Sequence, residues 1–317
     1  MEQIPYISVV SPVYGAASLL PELVRRTADA LSAIRGGFEL ILVEDHSPDE
    51  SWEAIMAEAK KDPRVRGISL SRNFGQQSAI QAGLDAARGT WVVTLDCDLQ
   101  DTPEVIPMML NKAAEENLDL LFAARRNRQD GFLKKAASRL FYRLLGYLSE
   151  TPVDPDVANF VLYHRRVVDA MKNLGDFYRY YPMINRWVGF KSATLPIEHA
   201  ARTDNRRSSY SFRKRIVLAI HTILSFSDKP LRMVMKLGVM LVSFTMLVAI
   251  ALVIRYFLVG TVVSGWLSVF LSIWFLSGII ILILGIVGLY LGKTFETVKR
   301  RPTYIIRETT SETGTHE

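Results

Sequence analysis

The stretch Val92-Val93-Thr94-Leu95-Asp96-Cys97-Asp98-Leu99-Gln100-Asp101 carries the strongest indication of the fold. An apolar, β-branched run ends abruptly in oxygen-bearing side chains, which is typical of the carboxyl end of a buried parallel strand. Ligands of open α/β sheets bind at that end. Because strand side chains repeat every two residues, we expect Asp96, Asp98 and Gln100 to share one face and to suit Mg²⁺ or Mn²⁺. An acidic turn that binds nothing is the alternative for this stretch alone.

The overall composition limits the class of protein. The chain has 317 residues, a net charge of +6 and a hydrophobic share of 49%, with the apolar excess in its last third. These values favour one or two domains and an anionic partner. We expect phospholipid headgroups and lipid phosphates rather than nucleic acid, because the same chain contains long apolar segments. The single cysteine, Cys97, allows no internal disulfide, fits a reducing compartment and is predicted to pack in the core.

Residues 1 to about 125 alternate between strand and helix patterns. Repeated βα units predict a mostly parallel sheet flanked by helices, with the carboxyl ends of the strands at one edge. The five predicted strands cover residues 7–13, 38–43, 65–70, 91–95 and 118–123. Two further strands are predicted at residues 157–163 and 192–199, with a helix from residue 165 to about 174.

Several residues at these strand ends are candidate nucleotide contacts. Pro12 and Tyr14 follow the first strand and suit a planar base, and Asp45 suits a hydrogen bond from a base N–H. Arg72 and Asn73 follow the third strand and are in a position to reach a nucleotide. The chain has no G-x-x-x-x-G-K-[ST] loop and no dinucleotide glycine fingerprint after the first strand, which argues against P-loop NTPases and dinucleotide-binding proteins.

Two segments have the pattern of amphipathic helices. Residues 131–149 combine one apolar face with an opposite basic face that includes Arg139, and residues 212–226 are basic and then apolar. A basic amphipathic helix of this kind is predicted to lie in a bilayer interface. A surface helix packed on the domain is the alternative for residues 131–149.

Two apolar runs, at about residues 233–258 and 266–291, are each long enough to span roughly 30 Å of hydrocarbon as a helix. Basic residues flank the pair, whereas Arg255 alone lies near the short link, so the positive-inside rule predicts that both flanks are cytoplasmic. We therefore expect a cytoplasmic α/β domain (residues 1–210), an interfacial helix and linker (211–231), a two-helix transmembrane hairpin (232–292) and a cytoplasmic tail (293–317) that is disordered from Glu308.

In these features the chain resembles the family 2 glycosyltransferases. Among them it is most similar to the polyprenyl-phosphate sugar synthases, which include dolichol-phosphate mannose synthase and bacterial membrane-anchored relatives. The resemblance covers about residues 4 to 307. The matching stretches are Val9-Val10-Ser11-Pro12-Val13-Tyr14, Val43-Glu44-Asp45-His46-Ser47, Ser71-Arg72-Asn73-Phe74-Gly75, Asp96-Cys97-Asp98-Leu99-Gln100-Asp101, Asn159-Phe160, Trp187-Val188-Gly189-Phe190, Ser208-Ser209-Tyr210-Ser211 and Ser225-Phe226-Ser227-Asp228-Lys229-Pro230-Leu231.

The resemblance implies a GT-A (Rossmann-like) fold and an enzyme at the plasma (inner) membrane that transfers a sugar from a nucleotide-sugar to undecaprenyl or dolichyl phosphate, with inversion at the anomeric carbon. By position, it implies that Pro12, Tyr14 and Asp45 hold the nucleotide and that Asp96 lies near the ribose and the metal. Asp98 and Gln100 would bind the Mg²⁺ or Mn²⁺ ion with the diphosphate. The candidate catalytic residues are Asp98, Arg125, Arg139 and Arg202, the three arginines matching residues that family members use around phosphates and the acceptor loop.

The chain also departs from the family pattern. Glu44 and His46 stand where the family often has Asp or Asn, and Gly. Ser209 stands where many members have Lys, so we expect Arg206 or Arg207 to supply that charge. Asp45 favours a UDP-sugar, with a GDP-sugar as the alternative.

Two other functions are alternatives, and oligomerisation stays open. A processive polysaccharide synthase is one, because Arg186-Trp187 resembles the end of its Q-x-x-R-W motif, although Met183 occupies the Gln position. A non-catalytic, membrane-tethered nucleotide-binding scaffold is the other. A homo-oligomer is compatible with the sequence, which contains no specific indication of one.

Overall fold

The computed structural model describes residues 4–125, 146, 157–174, 179–197, 227–259 and 265–311. Two compact units divide these residues. The first contains residues 4–125, 157–174, 179–197 and 301–311, and the second contains residues 146, 227–259 and 265–300. Both segments predicted as amphipathic helices, 131–149 apart from residue 146 and 212–226, lie outside the described residues.

An eight-stranded mixed sheet forms the centre of the first unit. Its strands in chain order are β1 (Ile7–Val13), β2 (Phe38–Glu44), β3 (Val65–Leu70), β4 (Trp91–Thr94), β5 (Leu120–Arg125), β6 (Val157–His164), β7 (Ser192–Ile197) and β8 (Ile306–Thr309). The spatial order is β7-β5-β6-β4-β1-β2-β3-β8. The parallel pairing of β4, β1, β2 and β3 confirms the βα prediction, whereas β6 is antiparallel to both β4 and β5.

Helices cover both faces of this sheet. They are α1 (Leu20–Leu31), α2 (Ser51–Lys61), α3 (Gln76–Ala86), α4 (Ile106–Glu115), α5 (Arg165–Lys172) and α6 (Tyr181–Trp187). In α1, Leu20, Leu23 and Val24 recur at helical spacing and are buried, so the helix presents one apolar stripe to the sheet. Ile7 and Val9 of β1 belong to the core that includes residues of α1, α2 and α4.

Helix α3 packs on the opposite face of β1, at very short range. A Cβ atom on Gly83 would lie 2.2 Å from Cγ1 of Val10, so only glycine allows this approach. All seven residues of β1 are buried, which is why its sequence lacks the alternation of a half-exposed strand. The close contact brings the N-terminal turn of α3 to the edge where β1 and β2 end.

The C-terminal segment corrects the predicted disorder from Glu308. Strand β8 pairs antiparallel with β3, and Ser69 is opposite Glu308 in the register. The Thr310 backbone N–H donates to the Gly67 carbonyl over 3.1 Å, and Thr310 Oγ1 accepts a hydrogen bond from Gly67 N over 2.9 Å. Residues 306–309 therefore belong to the sheet, and the prediction of disorder is wrong for Glu308 and Thr309.

The second unit contains two long helices, α7 (Lys229–Val259) and α8 (Trp266–Val298). Lys229–Val248 and Ser272–Val298 are long and apolar enough to cross a membrane, and neither is buried within the protein. The hydroxyl group of Tyr290 in α8 donates to the Ser227 carbonyl over 2.8 Å, just before α7 begins. Both helices extend beyond the predicted apolar runs, and α8 continues to Val298.

Candidate active site

The carboxyl ends of β4, β1, β2 and β3 lie at one edge of the sheet, because these strands are parallel neighbours. The loop after each strand contains one residue with positive φ: Gly15 (65°), His46 (53°), Gly75 (93°) and Leu99 (60°). This left-handed region favours glycine, since other residues carry a Cβ that crowds the following carbonyl group. The conformation explains why the family pattern often has glycine where this chain has His46.

The loop after β1 contacts two of its neighbours. The Gly15 backbone N–H donates to Ser47 Oγ over 3.2 Å, which connects this loop to the one after β2. The Tyr14 backbone N–H lies close enough to the sulfur of Cys97 to lower the pKa of its thiol, which brings this loop next to the one after β4. These contacts confirm that the polar strand ends meet at one edge.

The Asp45 carboxylate connects the loops after β2 and β3. Its Oδ1 accepts a hydrogen bond from Phe74 N over 2.7 Å, and its Oδ2 accepts one from Gly75 N over 2.8 Å. Burial raises the pKa of Asp45, and the two backbone N–H groups act in the opposite direction. The residue that we expected to contact the base thus also fixes the backbone just before α3.

Gln76, the first residue of α3, connects this helix to the loop after β4. Its Nε2 donates a hydrogen bond to Oδ1 of Asp96 over 2.7 Å. Together with the contacts of Asp45, Gly15 and Tyr14, this bond closes a ring of four loops around the sheet edge. Each loop is therefore held by its neighbours before any ligand binds.

The three predicted metal ligands lie in a turn rather than on a strand. Strand β4 ends at Thr94, and Leu99 has a φ of 60°. The Gln100 backbone N–H donates to Oδ1 of Asp98 over 3.1 Å, as in an Asx turn. The expectation that strand alternation aligns Asp96, Asp98 and Gln100 is therefore wrong in its premise, although all three follow β4 directly.

Tyr14 and Pro12 differ in exposure. Tyr14 is 56% exposed just after β1, whereas Pro12 is buried inside the strand, opposite Val43 of β2. Tyr14 is therefore the member of the pair whose ring reaches the surface. Cys97 packs against the hydrophobic core, as expected, and burial raises the pKa of its thiol to about 12.

The predicted arginines fall into two groups. The guanidinium group of Arg72 lies over the ring of Phe74, 4.1 Å from its centroid, and Arg72 and Asn73 form the exposed start of the loop after β3. Arg125 is the last residue of β5, and its side chain lies outside the described part of the protein. Arg139, Arg202, Arg206 and Arg207 also lie outside the described residues.

Two residues of this edge had no predicted role. Gln76 has the contact with Asp96 given above, and no signal in the sequence links residues so far apart. Glu44 is buried at the end of β2, where its carboxylate accepts hydrogen bonds from Ser47 N and from Ser69 Oγ. The sequence does contain a signal for Glu44, because this charged residue ends an apolar strand. A carboxylate buried at such a position requires hydrogen-bond partners, so a structural role was predictable.

Comparison with protein families assigns this architecture. The model for glycosyl transferase family 2 matches residues 8–172, which include all but the first residue of β1, the strands β2 to β6 and all four loops of the ring. The chain is a family 2 glycosyltransferase. The resemblance stated from the motifs is thereby confirmed.

Relatives match this glycosyltransferase over nearly its full length. The uncharacterized glycosyltransferase YkcC of Bacillus subtilis (strain 168) is 33% identical over 302 residues, which are 95% of this chain and 93% of the relative. The undecaprenyl-phosphate 4-deoxy-4-formamido-L-arabinose transferase of Enterobacter sp. (strain 638) is 32% identical over 315 residues, 98% of this chain and 95% of the relative. Both alignments extend through the two apolar helices.

The glycosyltransferase has the GT-A fold. The glucosyl-3-phosphoglycerate synthase of Mycobacterium tuberculosis, solved with phosphoglyceric acid, superposes with a TM-score of 0.51 at 18% identity, covering 71% of this chain and 80% of that one. The predicted α/β class is therefore confirmed, together with two helices that are able to form a hairpin.

Proposed function

We propose that this glycosyltransferase transfers one sugar from a nucleotide-sugar, with UDP favoured over GDP, to a polyprenyl phosphate such as undecaprenyl phosphate. The observation that carries the proposal is the similarity to an undecaprenyl-phosphate sugar transferase over 98% of this chain. The similarity covers the sheet edge and also both apolar helices. It therefore includes the helices that would bring the protein to a membrane, where a lipid-linked acceptor lies.

The donor side of the proposal rests on the ring of loops. Tyr14 is exposed beside the loop that carries Asp45, so its ring is available to a planar base. Each oxygen of the Asp45 carboxylate accepts one backbone N–H, and because a carboxylate oxygen has two lone pairs, we propose that a second acceptor direction serves the base. A uracil N–H is a suitable donor for that direction, which is why we favour UDP.

A divalent ion fits the donor set of the loop after β4. Within the described ranges, no group of three or more His, Cys, Asp or Glu side chains is positioned to hold a metal alone. Asp96, Asp98 and Gln100 supply oxygen atoms only, and Mg²⁺ typically combines one or two carboxylates with substrate phosphates. When bound, such an ion supplies Lewis-acid neutralisation of the departing diphosphate. We therefore propose that these three residues hold Mg²⁺ or Mn²⁺ when the nucleotide-sugar is present.

The acceptor needs orientation more than deprotonation. A phosphate monoester has a second pKa of about 6, so it is largely dianionic near neutral pH. One of its oxygens forms the new bond to the anomeric carbon while the bond to the nucleoside diphosphate breaks, and the electron pair leaves on the diphosphate oxygen. Arginine binds two phosphate oxygens at once, and we assign this role to Arg125, Arg139 and Arg202.

The second unit supports the proposal of membrane attachment. α7 and α8 contain two stretches long and apolar enough to span a bilayer, with basic residues at their outer ends. We propose that they anchor the protein as a hairpin in the plasma membrane with the catalytic domain in the cytoplasm. The acceptor phosphate of a polyprenyl chain lies at the same membrane surface.

The two other functions have less support. Met183 is fully buried in α6, so the position where a processive synthase has its glutamine carries a core residue here. A non-catalytic scaffold has no need of the two carboxylates after β4. Transfer of a sugar from a nucleotide-sugar is the proposal that gives a role to all four loops at the sheet edge.

The test uses the purified full-length protein in detergent with undecaprenyl phosphate, Mn²⁺ or Mg²⁺, and a panel of UDP- and GDP-sugars. Mass spectrometry then detects any new lipid. We expect one donor class to give product, with at least about a 100-fold loss for Asp98→Ala because charge neutralisation of the leaving group is worth several kcal/mol. Asp29→Ala, which changes an exposed aspartate near the end of α1, is the matched control and keeps full activity. Binding of nucleotide without product from any donor contradicts the proposal and favours the scaffold.

A further inference from the structure

The C-terminal segment, residues 304–310, contacts the elements that hold the nucleotide-binding loops. Antiparallel pairing of β8 with β3 runs to the pair Leu70–Ile306. One residue further, the Ser71 backbone N–H donates to the Ile305 carbonyl over 2.9 Å. The segment therefore follows β3 up to the residue where the loop of Arg72 begins.

The same segment also contacts the far end of α3. The Tyr304 hydroxyl group donates to Oδ2 of Asp85 over 3.0 Å, and Nε2 of Gln81 donates to the same carboxylate over 2.9 Å. Burial raises the pKa of Tyr304, so the hydroxyl group keeps its proton and remains a donor throughout the pH range in which enzymes work.

The bonds to Ser71 and to Asp85 flank, in sequence, the loop after β3 and the start of α3, which are part of the ring of loops. Between these two residues, Phe74 N and Gly75 N hold the Asp45 carboxylate, and Gln76 holds Asp96. The C-terminal segment is therefore hydrogen-bonded to both ends of the stretch 71–85. The middle of that stretch contacts the carboxylates that we assign to the nucleotide (Asp45) and the metal (Asp96).

We propose that Tyr304 is a positioning residue for the donor site, acting through Asp85 and α3 on the loop that holds Asp45 and Asp96. This inference rests on the proposed function, because the site that it positions is the nucleotide-sugar site. The physical basis is preorganisation: a binding loop held by a second layer of hydrogen bonds loses less conformational freedom when the ligand binds.

The experiment compares two single substitutions in the full-length protein. Tyr304→Phe removes only the hydroxyl group that bonds to Asp85. Thr310→Val is the matched control, because it removes a hydrogen bond from the same segment to Gly67, in the body of β3, and keeps the side-chain volume. Hydrogen exchange of the peptide covering residues 71–79 and the steady-state constants for donor and acceptor are measured for both variants.

We expect faster exchange of residues 71–79 in Tyr304→Phe and a donor KM raised about three- to tenfold, with kcat and the acceptor KM unchanged. Thr310→Val keeps wild-type exchange in that peptide and a wild-type donor KM. Unchanged exchange and donor KM in Tyr304→Phe, or equal effects in both variants, overturn the inference. If the wild-type protein transfers no sugar, the proposed function fails, and the exchange comparison alone still decides whether Tyr304 holds the loop.

Discussion

Gln76 Nε2 lies 2.7 Å from Oδ1 of Asp96 and donates a hydrogen bond to it. This bond joins the first turn of α3 to the loop that carries the predicted metal ligands. An amide N–H fixes the orientation of a carboxylate without cancelling its charge, so this bond is compatible with the proposed role of Asp96 as a metal ligand.

Replacing Gln76 is therefore expected to weaken metal use. Loss of such a supporting hydrogen bond typically costs about 10- to 100-fold in metal affinity or activity, and we expect Gln76→Ala to fall in that range. Gln76→Glu is expected to be more harmful, since it places a second negative charge beside Asp96. The measurement is transfer rate as a function of Mn²⁺ concentration. Gln77→Ala is the control, because the Gln77 side chain accepts a hydrogen bond from Tyr181 N rather than contacting Asp96. An equal change in the Mn²⁺ dependence of both variants would contradict the role assigned to Gln76.

The contact between α3 and β1 predicts a strong effect of one methyl group. In Gly83→Ala the new Cβ would lie 2.2 Å from Val10 Cγ1, so α3 has to move away from the sheet. Overpacking of this kind costs about 1–3 kcal/mol, and movement of α3 also shifts Gln76. We expect a lower melting temperature and a higher donor KM together. Gly278→Ala in α8, where nothing lies within 4 Å of the added Cβ, is expected to change neither.

A buried ion cluster at the other end of the sheet predicts a pH-dependent stability. Burial alone raises the pKa of Glu39, but hydrogen bonds from Ser8, the Arg88 backbone and Arg66 outweigh it, so the net pKa lies below its ordinary value. A depressed carboxylate pKa stabilises the fold above the unfolded pKa of about 4.3, and this contribution is lost as the pH falls through the lower, folded value.

We therefore expect Glu39→Gln to lower the melting temperature of the catalytic domain at pH 7 by several degrees, corresponding to about 1–3 kcal/mol. The difference from the wild-type protein shrinks as the pH falls below about 4. The measurement is thermal unfolding of both proteins across that range. A difference that stays constant with pH would show that the Glu39 charge contributes nothing.

The single cysteine gives a direct test of burial at the site. With a thiol pKa of about 12, Cys97 holds far less thiolate at pH 8 than a free cysteine with a pKa near 8.5. We expect iodoacetamide to label the native protein about three orders of magnitude more slowly than the urea-unfolded chain. Rapid labelling of the native protein would contradict the raised pKa of the Cys97 thiol.

The sequence predicted the parallel core well because the evidence there is local. β1 and β3 have the predicted bounds, since each is an apolar run followed directly by polar residues. β8 was missed because Ile306-Arg307-Glu308-Thr309 is short and half polar, and its only reason to be a strand is the distant edge of β3. Such pairing leaves no periodic pattern in the chain.

For the candidate site, the sequence located polar residues at the strand ends but did not predict their geometry. Asp45, Asp96 and Asp98 were identified as the carboxylates that follow strands. The partners of Asp45 and Asp96 were not, because Gln76 and the N–H groups of Phe74 and Gly75 meet them only through the parallel arrangement of three strands. The turn at Leu99 also replaced the expected strand alternation, since a left-handed leucine has no sequence signature.

The most direct test of the central claim is the identity of the acceptor. The purified protein is incubated with Mn²⁺, the active nucleotide-sugar and either undecaprenyl phosphate or undecaprenol. Mass spectrometry then gives the molecular masses of the lipid products. We predict a gain of a single glycosyl unit on undecaprenyl phosphate, none on undecaprenol, and loss of the product in Asp98→Ala. A ladder of added sugars, or equal transfer to the alcohol without phosphate, would contradict the assignment as a polyprenyl-phosphate sugar transferase.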